Sequence, residues 1–241
     1  MSCFFVTGTD TGVGKTVSSR AIIQALQKSG VQIVGFKPIA CGCNEPVYSD
    51  HISRQEGDYS SQDNADVMTL LNSTQENVTY EEINSYTFSH KMPMLTEDSR
   101  LINIDKINRD LEALNSRYQS VLVEGSFGWL TPINRSYSFA DWIKEKKMPV
   151  VLVVGIKEGC IDHALMTTES ILAKGVPLLG WVANRINPCL SHYAEIIEVL
   201  QQKINAPLLG EIPYLHKPEE RDLGKYLNNI DRLMYMKTIH E

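Results

Sequence analysis

Short unbroken apolar runs alternate along the chain with segments whose apolar residues recur every three or four positions. The runs fall at 3–7, 33–37, 120–124, 150–154, 179–183 and 208–212 and are rich in Val, Ile, Leu and Phe. Continuous rather than alternating apolarity is what strands covered on both faces require. The periodic segments at 15–29, 64–71, 105–117, 139–146, 162–174 and 191–204 predict amphipathic helices. Strand and helix in repeated alternation imply right-handed crossovers and an α/β fold, a mainly parallel β-sheet flanked by helices. Ligands of such sheets bind beyond the carboxyl ends of the strands, where Lys37, Glu124, Lys157 and Asn184 fall. Two stretches, 40–63 and 86–101, break the rhythm and predict long irregular loops, functional or mobile. No repeat, low-complexity tract or linker is visible, so residues 1–241 are expected to form one domain.

The first apolar run enters the loop Gly8-Thr9-Asp10-Thr11-Gly12-Val13-Gly14-Lys15-Thr16, which leads into the first helical segment. The common phosphate-loop spacing would put its first glycine at position 9, but Thr9 stands there and Gly8 lies one place earlier. The chemistry survives the shift. Gly8, Gly12 and Gly14 permit backbone angles that aim successive N–H groups at one anion. Lys15 adds a point charge for β- and γ-phosphates, the Thr16 hydroxyl can ligate Mg²⁺, and the helix that follows offers its positive end.

Three further residues bear on that anion. Lys37 ends the second run; a lysine there is ordinarily a solvated charge, but beside a nucleotide it is a phosphate ligand. Glu124 ends a buried apolar strand, a costly place for an acid unless it is paired or metal-bound. Asp66, taken alone, reads as a charge at a helix N-terminus.

Composition narrows the partners. Hydrophobic residues make up 43% and charged residues 22% of the chain, the balance of an ordinary soluble protein. The net charge of −6 comes with no basic block, which argues against nucleic acid as a partner and makes any phosphate binding local. No run is long enough for a membrane span, and no basic-then-apolar leader is seen at the N-terminus. Cys3, Cys41, Cys43, Cys160 and Cys189 are odd in number and scattered, as expected of thiols in a reducing cytoplasm.

Taken together, the loop from Gly8 to Thr16, Lys37-Pro38, Val123-Glu124-Gly125, Trp129-Leu130-Thr131-Pro132 and Phe139-Ala140-Asp141-Trp142 closely resemble the dethiobiotin synthetase family. Val154-Gly155-Ile156-Lys157-Glu158-Gly159-Cys160, Gly180-Trp181-Val182-Ala183-Asn184 and Ala206-Pro207-Leu208-Leu209-Gly210-Glu211-Ile212-Pro213 continue the match in family order over nearly the whole chain. The off-by-one loop is that family's own form. The resemblance implies a P-loop NTPase-like three-layer fold and a homodimer. It also implies closure of a ureido ring on 7,8-diaminononanoate with CO₂ or bicarbonate, ATP and Mg²⁺, in biotin synthesis.

Carried over residue by residue, the resemblance makes Gly12, Val13, Gly14, Lys15, Thr16 and Val17 the wrap around the ATP phosphates. Thr16, Asp66 and Glu124 match metal ligands, and Lys37, with Lys15 and Thr11, matches the catalytic positions. Gly125, Ser126 and Phe127 match the nucleotide-binding stretch after the acid. Asn184, Arg185, Pro213, Tyr214 and Leu215, with Glu219, match the adenine pocket. Thr11, Lys37 and Cys41 match substrate contacts, and Gly159, Cys160 and Asp162 match a helix start that takes the substrate carboxylate across the dimer.

The chain departs from the family at four places. Gly12 stands where Glu is common, Cys41 where Ser is common, Ser126-Phe127-Gly128 where Ala-Gly-Gly is common and Asp162 where Asn is common. Two other readings compete. A regulatory or partitioning P-loop ATPase would favour a second loop lysine where this chain has Asp10. A non-catalytic relative would bind nucleotide but not the diamine.

Overall fold

The first predicted strand lies in the middle of a parallel sheet. In the computed structural model, which describes residues 2–42, 64–88 and 101–234, it is β1 (Ser2–Gly8). Then follow α1 (Lys15–Lys28), β2 (Ile33–Phe36), β3 (Ile39–Cys41), α2 (Ala65–Ser73), α3 (Tyr80–Ile83) and β4 (Tyr86–Phe88). The chain continues with α4 (Ile104–Arg117), β5 (Ser120–Glu124), α5 (Phe139–Glu145), β6 (Val150–Ile156), α6 (Cys160–Ala173) and β7 (Leu178–Arg185). It ends with α7 (Tyr193–Lys203), β8 (Leu208–Ile212), two single 3₁₀ turns and α8 (Asp231–Met234).

Six strands form one sheet in the order β2-β5-β1-β6-β7-β8, and every pairing in it is parallel. The chain leaves β1 to one side to reach β2 and β5, then crosses to the other side for β6, β7 and β8. Connections that depart in opposite directions open a crevice at the carboxyl end of β1. The period-two alternation of strand side chains divides β6 between two packed layers. Val151 and Val153 join the large core cluster, while Leu152, Val154 and Ile156 join a second cluster with Trp181, Ile197 and Leu200. Trp129, Trp142 and Trp181 are all buried within the chain.

Local signals explain the helices. In α4 the buried residues are Ile107, Leu111 and Leu114, a four-then-three spacing that places them on one face. Asn103 caps it by accepting a hydrogen bond from the Asp105 N–H at 2.8 Å. α5 opens on a capping box in which Ser138 and Asp141 satisfy one another's backbone N–H groups.

The second sheet was not foreseen. β3 and β4 pair in parallel, Ile39 with Tyr86 and Cys41 with Phe88, where the two stretches read as irregular begin. Three-residue strands are too short to carry a period, and their support is long-range. The Lys37 N–H donates to the Ile83 carbonyl at 2.8 Å, and the Tyr86 N–H to the Pro38 carbonyl at 3.0 Å. The Asn84 amide donates to the Lys37 carbonyl at 2.7 Å. These bonds fix the backbone of Lys37 beyond the end of β2. The rest of the two predicted loops, at 43–63 and 89–100, and the tail at 235–241 lie outside the described residues.

Candidate active site

The loop from β1 to α1 has the conformation its glycines permit. Gly12 and Gly14 have φ of 72° and 85°. A Cβ on Gly14 would stand 2.0 Å from the Asn184 amide nitrogen, so β7 crowds the loop from the side. That amide donates to the Val13 carbonyl at 2.9 Å. Lys15 curls back over the loop and donates to the Asp10 carbonyl at 3.1 Å. Burial pushes the Lys15 ammonium down to about 8; the charge of Glu124 opposes the shift and that of Lys37 adds to it.

Three residues far apart in sequence meet beside Lys15. Register with β1 sets Glu124 against Val6 at the carboxyl end of β5, fully buried. Its Oε1 accepts from the Thr16 hydroxyl at 2.8 Å and from Lys37 Nζ at 2.7 Å. Lys37 also bonds Asp66 Oδ2 at 2.7 Å. Asp66 sits in the first turn of α2, which Asn64 caps by accepting from the Asp66 N–H at 3.0 Å. Burial alone would lower the Lys37 pKa, but the two carboxylates outweigh it and hold the ammonium above the ordinary lysine value. Burial likewise works to raise Asp66, and contact with Lys37 reverses that into a lowered carboxyl.

A cleft of about 450 Å³ opens over this cluster. It is lined by Thr11, Gly12, Gly14, Lys15, Thr16 and Val17 of the phosphate loop and the start of α1, and by Lys37, Cys41, Gly42, Asp66, Ser126 and Phe127. Of the predicted phosphate and substrate contacts near the loop, Val13 and Gly125 are buried beneath the cleft instead of lining it. Val13 lends its carbonyl to Asn184, and a Cβ on Gly125 would meet Phe5 Cζ at 2.4 Å.

The donor set suits Mg²⁺. Thr16, Asp66 and Glu124 offer only oxygen, and Glu124 Oε2 is buried without a hydrogen-bond partner. Two carboxylates and a hydroxyl leave room for the waters and phosphate oxygens that Mg²⁺ retains.

The predicted adenine residues collect at the neighbouring strand ends, outside the cleft lining. Asn184 and Arg185 close β7, and Asn184 is in register with Ile212, after which come Pro213, Tyr214 and Leu215. The Arg185 guanidinium stacks 4.7 Å from the Tyr193 ring centroid, and Tyr214 is exposed. Glu219 lies exposed on the 3₁₀ turn Pro218–Glu220. Gly159, Cys160 and Asp162 form the start of α6, also outside the cleft lining. Gly159 is the N-cap at φ 75° with no side-chain cap, Cys160 is buried and Asp162 is exposed.

One link was missed. Lys157, at the end of β6, bonds Asp10 Oδ2 at 3.0 Å, and Asp10 Oδ1 accepts from the Thr11 N–H at 2.7 Å. The Lys157 hydrogen bond, then that of Thr11, holds the Asp10 carboxyl below its usual range. The pair ties the phosphate loop to the start of α6. Its only signal in the sequence was the strand-end position of Lys157.

A parallel sheet of this order, a Gly-Lys-Thr loop opening α1 and a buried acid on the adjacent strand define a P-loop NTPase-like protein. The fold is similar to that of the MinD cell division protein of Aquifex aeolicus, with a TM-score of 0.51 at 18% identity over 98% of this chain and 90% of the other. It is equally similar to a ParA family ATPase from Chlorobium tepidum, with a TM-score of 0.51 at 12% identity over 97% and 93% of the two chains. A family model described as an AAA domain matches residues 3–221. The ATP-dependent dethiobiotin synthetase BioD 1 of Pasteurella multocida is 65% identical over 99% of both chains. The ATP-dependent dethiobiotin synthetase BioD of Mannheimia succiniciproducens is 66% identical over 99% of this chain and 98% of its own. The chain belongs to the ATP-dependent dethiobiotin synthetase family.

Proposed function

We propose that this chain makes dethiobiotin from 7,8-diaminononanoate, CO₂ and ATP, releasing ADP and phosphate. One amine adds to CO₂ and loses a proton, giving a carbamate. A carbamate oxygen attacks the γ-phosphorus, the bond from that phosphorus to the β–γ bridging oxygen breaks, and ADP departs. The second amine then attacks the carbonyl of the mixed anhydride, the carbon–oxygen bond breaks, and phosphate leaves as the ring closes with loss of a second proton.

The observation that carries this reading is the Lys37 ammonium, buried at the floor of the cleft and bonded to two carboxylates at 2.7 Å. A cation there balances negative charge shared between carbamate and γ-phosphate as the phosphoryl group moves. Lys15 and the N–H groups at the start of α1 hold the β- and γ-phosphates. Thr11 and Cys41, which both line the cleft, are assigned to the diamine. Mg²⁺, held by Thr16, Asp66 and Glu124, would neutralise phosphate charge and orient the tail. Adenine is assigned to the strand-end residues from Asn184 to Leu215. The N-terminus of α6 is assigned to the substrate carboxylate of a second copy in a homodimer, supported by its uncapped N–H groups. A cytoplasmic location belongs to the same reading; among the described residues no helix is long and apolar enough to cross a membrane.

A regulatory switch is not favoured: relatives at 65% identity carry the synthetase name, and Asp10 pairs with Lys157 where a second loop lysine would stand. The test is a coupled phosphate-release assay with diamine and bicarbonate varied independently. Release is expected to require both, and undiminished release with either omitted would refute the proposal.

A further inference from the structure

We propose that Phe127 is a specificity-determining residue whose ring forms the wall that selects a diamine bearing a long apolar chain. The inference rests on the synthetase reading above and deepens it.

Phe127 holds φ of 59°, in the left-handed region that favours glycine. Its neighbours hold it there. The Gly125 N–H donates to the Val6 carbonyl at 3.1 Å, and the Ser126 hydroxyl donates to the Ile39 carbonyl at 2.5 Å. The Gly128 N–H donates to Thr131 Oγ1 at 3.0 Å. A Cβ on Gly125 would collide with Phe5, so that residue cannot yield. Between these anchors a glycine at 127 would adopt the same backbone without strain. The chain instead keeps a bulky apolar side chain in an unfavourable conformation and sets it into the cleft. Strain held in place by surrounding bonds points to a purpose at the site.

The rest of the cleft narrows that purpose. Lys15, Thr16, Lys37 and Asp66 meet a phosphate tail and gain nothing from an aromatic face. The Ser126 hydroxyl ties this turn to Ile39 of β3, the strand that ends in Cys41, and Cys41 lines the same cleft and is assigned to the diamine; the ring is therefore placed beside the diamine and not, as the resemblance had it, among the nucleotide contacts. Of that substrate the five-methylene chain between the amines and the carboxylate is the long apolar part, and an apolar ring matches it.

The experiment compares wild type with Phe127→Gly and Phe127→Leu. KM values are measured for 7,8-diaminononanoate and for ATP by phosphate release. Inhibition constants are measured for two competitors, 2,3-diaminononane, which keeps the chain but lacks the carboxylate, and 2,3-diaminobutane, which lacks both. Phe127→Gly is expected to raise the diamine KM about tenfold, the loss of burial of roughly two methylenes, with a smaller fall in kcat. The ATP KM should stay within twofold, and the advantage of the long competitor over the short one should collapse. Phe127→Leu should keep most of that advantage. A diamine KM within twofold of wild type, a shift in ATP KM instead, or an unchanged competitor ratio would each overturn the inference. Should the Gly variant not fold, Phe127→Asn, which tolerates the left-handed backbone and lacks the apolar surface, takes its place under the same criteria. Wild-type release independent of diamine would refute the synthetase reading; diamine-dependent release with an unmoved variant refutes only this inference.

Discussion

Replacing Lys37 by Met tests the electrostatic centre of the site. The side chains are similar in length, so the change removes a charge and little volume. It leaves Glu124, fully buried, facing Asp66 with no cation between them. Breaking a buried ion pair by deleting one partner costs about 3–5 kcal/mol. The Asp66 side chain is 46% exposed and keeps much of its hydration, which places the expected loss near the lower end, about 3 kcal/mol. With a denaturant dependence of about 3 kcal/mol per molar urea, the unfolding midpoint should fall by roughly 1 M. Trp129, Trp142 and Trp181 are all buried, so tryptophan fluorescence follows unfolding directly. The second arm adds Mg²⁺. In the wild type the ammonium occupies both carboxylates and competes with the ion; in the variant it does not. Mg²⁺ at ten times its dissociation constant should restore about 1.4 kcal/mol to the variant and less to the wild type. Diamine-dependent phosphate release should fall by at least about a hundredfold, the scale of losing one preorganised charge. A midpoint moved by less than 0.2 M (roughly 0.6 kcal/mol at that slope), or Mg²⁺ favouring the wild type over the variant, would refute the reasoning.

Two further outcomes follow from the geometry. Gly14→Ala must accept φ of 85° and push the Asn184 amide from 2.0 Å, at an expected cost of about 2–3 kcal/mol, with at least a tenfold weaker calorimetric affinity for ADP; unchanged values of both would show the loop to be pliant. Asp141 is held down to about 2 by Lys174 first and Ser138 second, below its ordinary 3.8, so its contribution is present above pH 4 and lost as pH falls toward 2. Its partial exposure reduces that contribution to about 1 kcal/mol, so urea midpoints of wild type and Asp141→Asn should differ at pH 6, with the gap falling to about a third of that near pH 2.5; an undiminished gap there would contradict the assignment.

Much of the candidate site was legible from local pattern. Gly12, Gly14, Lys15 and Thr16 lie within five residues, and their chemistry depends on a strand before, marked by an unbroken apolar run, and a helix after, marked by its period. Lys37 and Glu124 stood out because a charge ending an apolar run is conspicuous. Asp66 did not, since a helix-start acid is commonplace; only the family resemblance singled it out, and contact with Lys37, 29 residues away in sequence, gives the physical reason. The Lys157–Asp10 tie spans 147 residues, and neither residue alone indicates the other.

By itself the sequence determined that strands would be buried on both faces, that helices would cover them, and that a phosphate loop would open the first helix. Those are matters of period and composition within windows of a few turns. Strand order, the β3–β4 ladder, the meeting of Thr16, Lys37, Asp66 and Glu124, and the left-handed backbone of Phe127 were decided only by the tertiary structure. Each depends on which distant backbone and side-chain groups satisfy one another once water is excluded, and no local pattern records that pairing.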